Sequence, residues 1–322
     1  MTRRSILLAG LLATLLAPGL VSAQDYPTRP IKLVVGYPAG GASDVAARLV
    51  GQKIAERLGQ PVIIDNRPGA AGNIGAEVVV KAVPDGYTLL LGTISLSVNP
   101  SLYPKMAYDP LKDLTAISMI SSTPFLLVAN PKSPYTSTKT LLDAARAGKA
   151  PIYYASAGNG SGAHLFTELF SETAKIKMTH VPYRGAAPAM NDVVGNQVPL
   201  AFDNVITALP LVKSGKLRAL GVTTKNRSRV APDIPTLAES GVADFDATAW
   251  FGLFAPTGTP RNVIQRLSRE VAEAVKDPVV TEKLLQLGAE PVGSTPEQFD
   301  AFFRGEVTKW GKVVREAKIV ID

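Results

Sequence analysis

Two stretches of this chain, more than a hundred residues apart, repeat one pattern: a short apolar strand, a glycine-rich turn, and a helix with one apolar face. In the first, Ile31, Leu33, Val34 and Val35 form the strand, Gly36 to Gly41 the turn, and Ala46, Val50, Ile54 and Leu58 recur every four residues along the helix. In the second, Ile152 to Ser156 is the strand and Gly158-Asn159-Gly160-Ser161-Gly162 the turn. Leu165, Phe166, Leu169 and Phe170 make the helical stripe. A helix entered through glycines directs unpaired N–H groups and a partial positive charge toward the strand's carboxyl end, which suits an anion. Ser43 and Asp44 are expected to supply capping oxygens for the first helix. Two such seats imply an α/β protein of two lobes facing one cleft.

The intervening sequence alternates in the same way. Pro61 to Asp65 reads as a strand, Asn66 to Gly72 as a loop before a helix carrying Ile74, Val78 and Val79, and Tyr87 to Leu91 as a strand ending at Gly92-Thr93. Strand–helix–strand alternation predicts a mostly parallel sheet flanked by helices in each lobe. Prolines 100, 104 and 110 are expected to break regular structure. Ala116 to Ile120 and Phe125 to Ala129 read as two extended pieces separated by Ser121-Ser122-Thr123-Pro124, where the chain crosses between lobes. The second lobe continues with a helix near Thr140 to Ala147, a strand around His180, a helix near Ala187 to Val194, and a strand at Val198 to Phe202 ending in Asp203-Asn204. Leu217 to Val222 and Trp250 to Ala255 return the chain, and the helical pattern from Pro260 onward is expected to wrap the first lobe. The resulting division is 1–23 as an export signal, 24–124 plus 225–322 as lobe 1, and 125–224 as lobe 2.

The export signal rests on Arg3 and Arg4, the apolar run Ile6 to Leu16, and the small residues Val21-Ser22-Ala23. That run is shorter than the ~20 residues needed to span a bilayer, so cleavage near Ala23 and a periplasmic mature protein are expected. The sequence contains no cysteine, which excludes disulfides and thiolate metal sites. Net charge is +7 and falls to +5 without Arg3 and Arg4. A mild basic excess draws an anionic ligand, or reflects scattered solvated lysines. The densest basic stretch, Lys213 to Arg229, lacks interleaved aromatics, so nucleic acid is not an expected partner.

Ser161 lacks the flanking glycines of a nucleophile elbow, because Asn159 and Ala163 stand where they belong. His164 and His180 are the only histidines, so no metal ligand cluster is legible, and His164 is expected to orient or pack rather than catalyse. No lysine follows the second glycine turn and no acidic residue ends the next strand, which disfavours nucleotide and dinucleotide cofactors. Anion capture without chemistry remains. A carboxylate held by backbone N–H groups and by the hydroxyls of Ser43, Thr93, Ser156 or Ser161 gains about 1.5–3 kcal/mol per charge-assisted bond. Three or four such bonds, less docking entropy, leave roughly the −8 kcal/mol of micromolar binding. Arg184 either clamps a second carboxylate or is simply exposed. Tyr37 and Trp250 either pack on a ligand's carbon skeleton or belong to the core. The glycine turns themselves have the alternative of serving only tight strand-to-helix packing.

Taken in order, several pieces resemble the extracytoplasmic solute receptors of the tripartite tricarboxylate transporter family, also called the Bug family. They include Tyr26-Pro27-Thr28-Arg29-Pro30-Ile31, Gly40-Gly41-Ala42-Ser43-Asp44, Asn66-Arg67-Pro68-Gly69 and Pro84-Asp85-Gly86-Tyr87-Thr88-Leu89. Tyr154-Ala155-Ser156, Ser161-Gly162-Ala163-His164-Leu165, His180-Val181-Pro182-Tyr183-Arg184-Gly185, Gly215-Lys216-Leu217-Arg218-Ala219-Leu220 and Ala255-Pro256-Thr257-Gly258-Thr259-Pro260 continue the match. The resemblance implies a two-lobed periplasmic binding protein, type II-like, that acts as a monomer, needs no cofactor or metal, and delivers a small carboxylate to a two-component membrane permease. It implies a ligand seat between Tyr37, Ala39, Gly40, Gly41, Ala42, Ser43 and Asp44 of one lobe and Ser156, Gly158, Asn159, Gly160 and Ser161 of the other, to which the reading of the residues themselves adds Thr93, His164, Arg184 and Asp203 as expected ligand-binding positions. A ligand sensor signalling to a membrane sensor kinase would have the same pocket, and a periplasmic hydrolase is the remaining alternative. The chain departs from the family pattern at Gly36-Tyr37, where proline then phenylalanine is common, and at Leu96, where many members carry histidine. The second change is expected to make that cleft wall less polar.

Overall fold

The apolar run Ile31–Val35 becomes β1, buried at every position except Lys32, and the rest of the first lobe is laid against it. In this computed structural model, which describes residues 26–320, β1 is followed by α1 (Ala42–Leu58), β2 (Val62–Asn66), a single 3-10 turn, α2 (Asn73–Val80), β3 (Thr88–Thr93), α3 (Ile94–Leu102) and α4 (Pro110–Asp113). The chain continues through β4 (Leu114–Ala129), α5 (Thr138–Ala147), β5 (Tyr153–Ser156), α6 (Gly162–Ala174), β6 (Thr179–Pro182), α7 (Ala186–Val194), β7 (Leu200–Asn204), α8 (Val205–Lys213) and β8 (Arg218–Val222). It ends with β9 (Thr248–Pro256), α9 (Arg261–Lys276), α10 (Pro278–Gln286), β10 (Glu290–Pro291) and α11 (Pro296–Glu316). The expected export signal, Met1 to Ala23, lies outside the described residues. Among the described residues no helix is long and apolar enough to cross a membrane.

Each half keeps a parallel core. β1 lies between β2 and β3, with Ile31 opposite Val62 and Lys32 opposite Thr88. β5 lies between β6 and β7, with Tyr153 opposite Thr179 and Tyr154 opposite Leu200. Antiparallel strands complete the two, so each sheet is mixed. β9 pairs with β3, Thr93 facing Phe251, and β4 pairs with β9 from Leu114 opposite Pro256 to Pro124 opposite Thr248. From Phe125 onward β4 leaves β9 and pairs with β7 and β8 instead. The two extended pieces expected around Ser121–Pro124 are therefore one strand of 16 residues. Ser121 to Pro124 do not interrupt it because β9 supplies their partners, and the chain passes between lobes without leaving the sheet.

Pro100 also fails to break structure. It sits near the end of α3, where the single lost N–H costs one internal bond of a short helix. The first sheet is packed on one side by Val50, Ile54, Leu267 and Val271 from α1 and α9. On the other side stand Trp250, Phe254, Phe299 and Phe303. Phe299 lies so close over β9 that a β-carbon at Gly252 would stand 2.1 Å from its ring, so only glycine fits there. Phe166, Phe170, Phe202 and Phe245 fill the second sheet's core, joined by Trp310, Val313 and Val314 of α11. The C-terminal helix thus packs on both cores rather than on the first alone, with Phe166 and Trp310 stacked at 5.4 Å. Ala231, Ile234, Leu237, Val242 and Phe245 likewise pack with the second sheet.

Candidate functional site

The first glycine turn is braced from below by one buried carboxylate. Asp44 Oδ2 accepts the Gly40 N–H at 2.9 Å and the Arg48 Nε–H at 2.9 Å, while Oδ1 accepts the Asn66 amide at 3.0 Å. Asn66 also donates to the Tyr37 carbonyl at 3.0 Å, so the strand end and the turn are tied together. The hydrogen bond from Arg48 holds the Asp44 carboxyl down, to a pKa of about 2. This corrects the expected capping. The helix is capped at Gly41, whose extended backbone carries no side-chain oxygen, and neither Ser43 nor Asp44 caps it. Asp44 is committed to the turn, leaving the first N–H groups of α1 without side-chain partners.

The second turn rests on a stack of rings. Ser161 caps α6, its hydroxyl accepting the His164 N–H at 3.3 Å. His164 Nδ1 accepts the Gly160 N–H at 3.2 Å, which leaves the ring proton on Nε2, 4.0 Å from Glu168 Oε1. The His164 ring lies 3.9 Å from that of His180, which in turn stacks on Tyr154 at 4.9 Å. Tyr154 donates its hydroxyl to Glu168 at 2.6 Å. Burial, with His180 alongside, lowers the His164 pKa to about 4, and burial lowers that of His180 too. Both are neutral imidazoles near pH 7. Ser156 meets His180 Nε2 at 2.5 Å and accepts the Gly158 N–H at 3.1 Å. The serine is only 1% exposed, so this Ser–His contact is a brace under the loop, closed to any substrate.

Between the lobes lies a cavity of about 240 Å³, lined by Ala71, Ile94, Ser95, Val98, Asn99, Leu102 and Tyr103 on one side and by Asn159, Gly160, Ser161, Gly162 and Leu165 on the other. The first turn of α6 opens onto it, and α3 lies along it from Ile94 to its C-cap Tyr103. Of the residues singled out in the sequence, Asn159, Gly160 and Ser161 line it directly. Tyr37 and Thr93 stand behind its wall: the Tyr37 hydroxyl donates to Ser95 Oγ at 2.9 Å and lies 3.0 Å from Thr93 Oγ1 and 3.3 Å from the Ala71 carbonyl. Ser156, Gly158 and His164 support the second loop from beneath.

The remaining positions stand apart. Ala39, Gly40, Gly41 and Ala42 are exposed at the entrance of α1, with Ser43 and Asp44 buried behind them, and none lines the cavity. Arg184 is exposed on the loop after β6. Asp203 is buried and accepts the Thr207 hydroxyl at 2.5 Å, its pKa raised by burial. Trp250 is a core residue, its indole donating to Glu306 at 3.3 Å. Leu96 is buried at the back with Phe254, so it does not alter the cavity wall. The α3 contribution was missed in the sequence because Pro100 reads as a break. Its signal was nonetheless present, in the four-residue spacing of Ile94, Val98 and Leu102 beside that of Ser95 and Asn99. Among the described residues no group of three or more His, Asp or Glu side chains is placed to hold a metal ion.

Residues 46–319 match the family model described as the tripartite tricarboxylate transporter family receptor. The chain is 39% identical over 318 residues to protein BugT of Bordetella pertussis, with 98% of each chain covered. Among solved structures it resembles R. palustris Rpa4515 with adipate, at 38% identity and TM-score 0.74, covering 92% of this chain and 99% of that one. It also resembles an unliganded solute binding protein from Polaromonas, at 27% identity and TM-score 0.83, covering 90% of this chain and 99% of that one. These are solute-binding receptors of the two-lobed periplasmic type rather than enzymes. The chain belongs to the tripartite tricarboxylate transporter receptor family, the Bug family.

Proposed function

We propose that this receptor captures a small organic carboxylate in the cavity between its lobes, closes over it, and delivers it in the periplasm to the membrane permease of a tripartite transporter. The observation that carries this reading is a single cavity whose walls come from both lobes, with the first turn of α6 on one side and the length of α3 on the other. The N–H groups of the first turn of a helix have no intrahelical acceptor, and a carboxylate satisfies several at once. Adipate in the similar Rpa4515 structure supports a carboxylate as ligand. Overlap is greater with the unliganded Polaromonas receptor than with the adipate complex despite lower identity, which supports a lobe arrangement of the unliganded kind and a closure on binding. Export through Met1 to Ala23 is part of the same proposal.

Isothermal titration of the chain from Gln24 onward with mono-, di- and tricarboxylic acids tests it. At least one acid is expected to bind with a dissociation constant of roughly micromolar order. Failure of every acid class to bind defeats the reading. Co-purification of permease subunits with the liganded receptor tests delivery, and capture of a sensor kinase in their place would assign the pocket to signalling.

A further inference from the structure

A second pocket, of about 330 Å³, lies on the outer surface of the first lobe between the last turn of α1 and the middle of α9. Arg57, Arg266, Arg269, Glu270, Ala272 and Glu273 line it. α1 and α9 pack on the side of the first sheet opposite Leu96 of α3, and the pocket shares no lining residue with the interlobe cavity. Its centre is one carboxylate. The Glu270 side chain is 10% exposed, and each of its oxygens takes one arginine. Oε2 accepts the Arg57 Nε–H at 2.7 Å and Oε1 accepts the Arg266 Nε–H at 2.8 Å. One such pair suffices to tie α1 to α9, so two guanidiniums on one buried carboxylate leave a positive charge over.

Held by Nε, each guanidinium keeps its Nη groups, and among the described residues these have no acceptor. Arg269 is exposed beside them, with no hydrogen-bond or ion-pair partner among the described residues. Glu273 does not cancel the excess, because its Oε1 accepts from Lys276 at 3.0 Å. Lys53 and Glu56 of α1 are engaged with each other at 3.2 Å, and Lys53 with Asp277 at 2.7 Å. Three guanidiniums and Lys276 therefore stand against two carboxylates. Planar guanidinium forks fixed in place match the oxygens of an oxyanion, and a tetrahedral phosphate offers them to donors arriving from several directions. The pocket equals the volume of roughly eleven waters, more than a bare phosphate fills, which leaves room for the group it esterifies. We propose that this pocket binds the phosphate of a phosphate ester, with Arg57, Arg266 and Arg269 as its donors, at a site separate from the solute cavity.

Two arms test the proposal and distinguish the source of the phosphate. Glycerol 3-phosphate, titrated into the receptor from Gln24 onward, represents a free ester. Sedimentation with phosphatidylglycerol vesicles, against phosphatidylcholine vesicles, represents a lipid headgroup. Saturable binding is expected in at least one arm, and the arm that responds identifies the source. Arg269→Gln should weaken it about tenfold, with circular dichroism confirming the fold. Lys149→Gln removes the same charge from an exposed position after α5, in the other lobe, and should leave binding within about twofold. No binding in either arm, binding that survives Arg269→Gln, or equal losses in the two variants would overturn the proposal. The receptor reading rests on the acid titration and stands whichever of these results is obtained.

Discussion

The Asp44 carboxylate and the Gly40 N–H lie 2.9 Å apart, so the first glycine turn is fastened by a residue that sits one turn inside the helix it introduces. Arg48 and Asn66 hold the same carboxylate in place. A buried acceptor that serves three donors cannot be removed without leaving them unpaired. Asp44→Ala is therefore expected to destabilise the protein by about 1–3 kcal/mol, read as a lower urea midpoint with an unchanged slope. The pH dependence has a definite sign. With its pKa lowered to about 2, Asp44 contributes stability that is complete above the ordinary carboxylate range near 3.8 and is lost as pH falls through 2.

His164 gives a second, separate pH signature. Its folded pKa of about 4 lies below the ordinary 6.5, so the folded state holds the ring neutral where the unfolded chain would protonate it. Stability is complete above 6.5 and declines as pH drops toward 4. Glu168, raised by burial, titrates in the opposite sense, so the comparison is made against His164→Asn. Asparagine keeps an acceptor for the Gly160 N–H and does not titrate. The variant should lose about 2 kcal/mol of the decline between pH 6.5 and 4, with a residual slope from His180. An unchanged profile in thermal unfolding would contradict the stacked arrangement.

Gly36 tests the packing behind the cavity. A β-carbon there would stand 2.7 Å from Gly72 Cα and 2.9 Å from the Gly72 carbonyl oxygen. Gly36→Ala should push the Ala71–Gly72 segment outward at a cost of about 1–3 kcal/mol and weaken ligand binding, because Ala71 lines the cavity. Thermal unfolding and titration on the same sample check both effects.

Ser161 is expected to couple stability and binding. Its hydroxyl caps α6 and also lines the cavity, so Ser161→Ala should cost about 1 kcal/mol of stability and lower ligand affinity about tenfold. A variant that loses stability alone would show that the hydroxyl serves only the helix.

Much of this architecture is legible in the residues themselves. Ile31–Val35, Arg218–Val222 and Thr248–Pro256 are apolar runs bounded by turn residues, and each folds as a strand within two residues of the expected limits. Asn159, Gly160 and Ser161, singled out by the second glycine turn, line the cavity. What was hidden depends on distant partners. Ser121–Pro124 looks like a break until β9, more than a hundred residues later, pairs with it. Asp44 looks like a cap until Asn66 arrives from β2. Pro100 conceals α3 because a proline near the end of a helix costs one bond, and the wall that α3 provides is recognisable only once Leu165 faces it.

The measurement that bears most directly on the receptor assignment is a crystal structure of the chain with an acid that binds it. The carboxylate is expected within about 3 Å of the first backbone N–H groups of α6 and of the Ser95 hydroxyl, with the two sheets drawn together over it. A carboxylate found on the outer surface of either lobe, with this cavity still empty of ligand, would contradict the account.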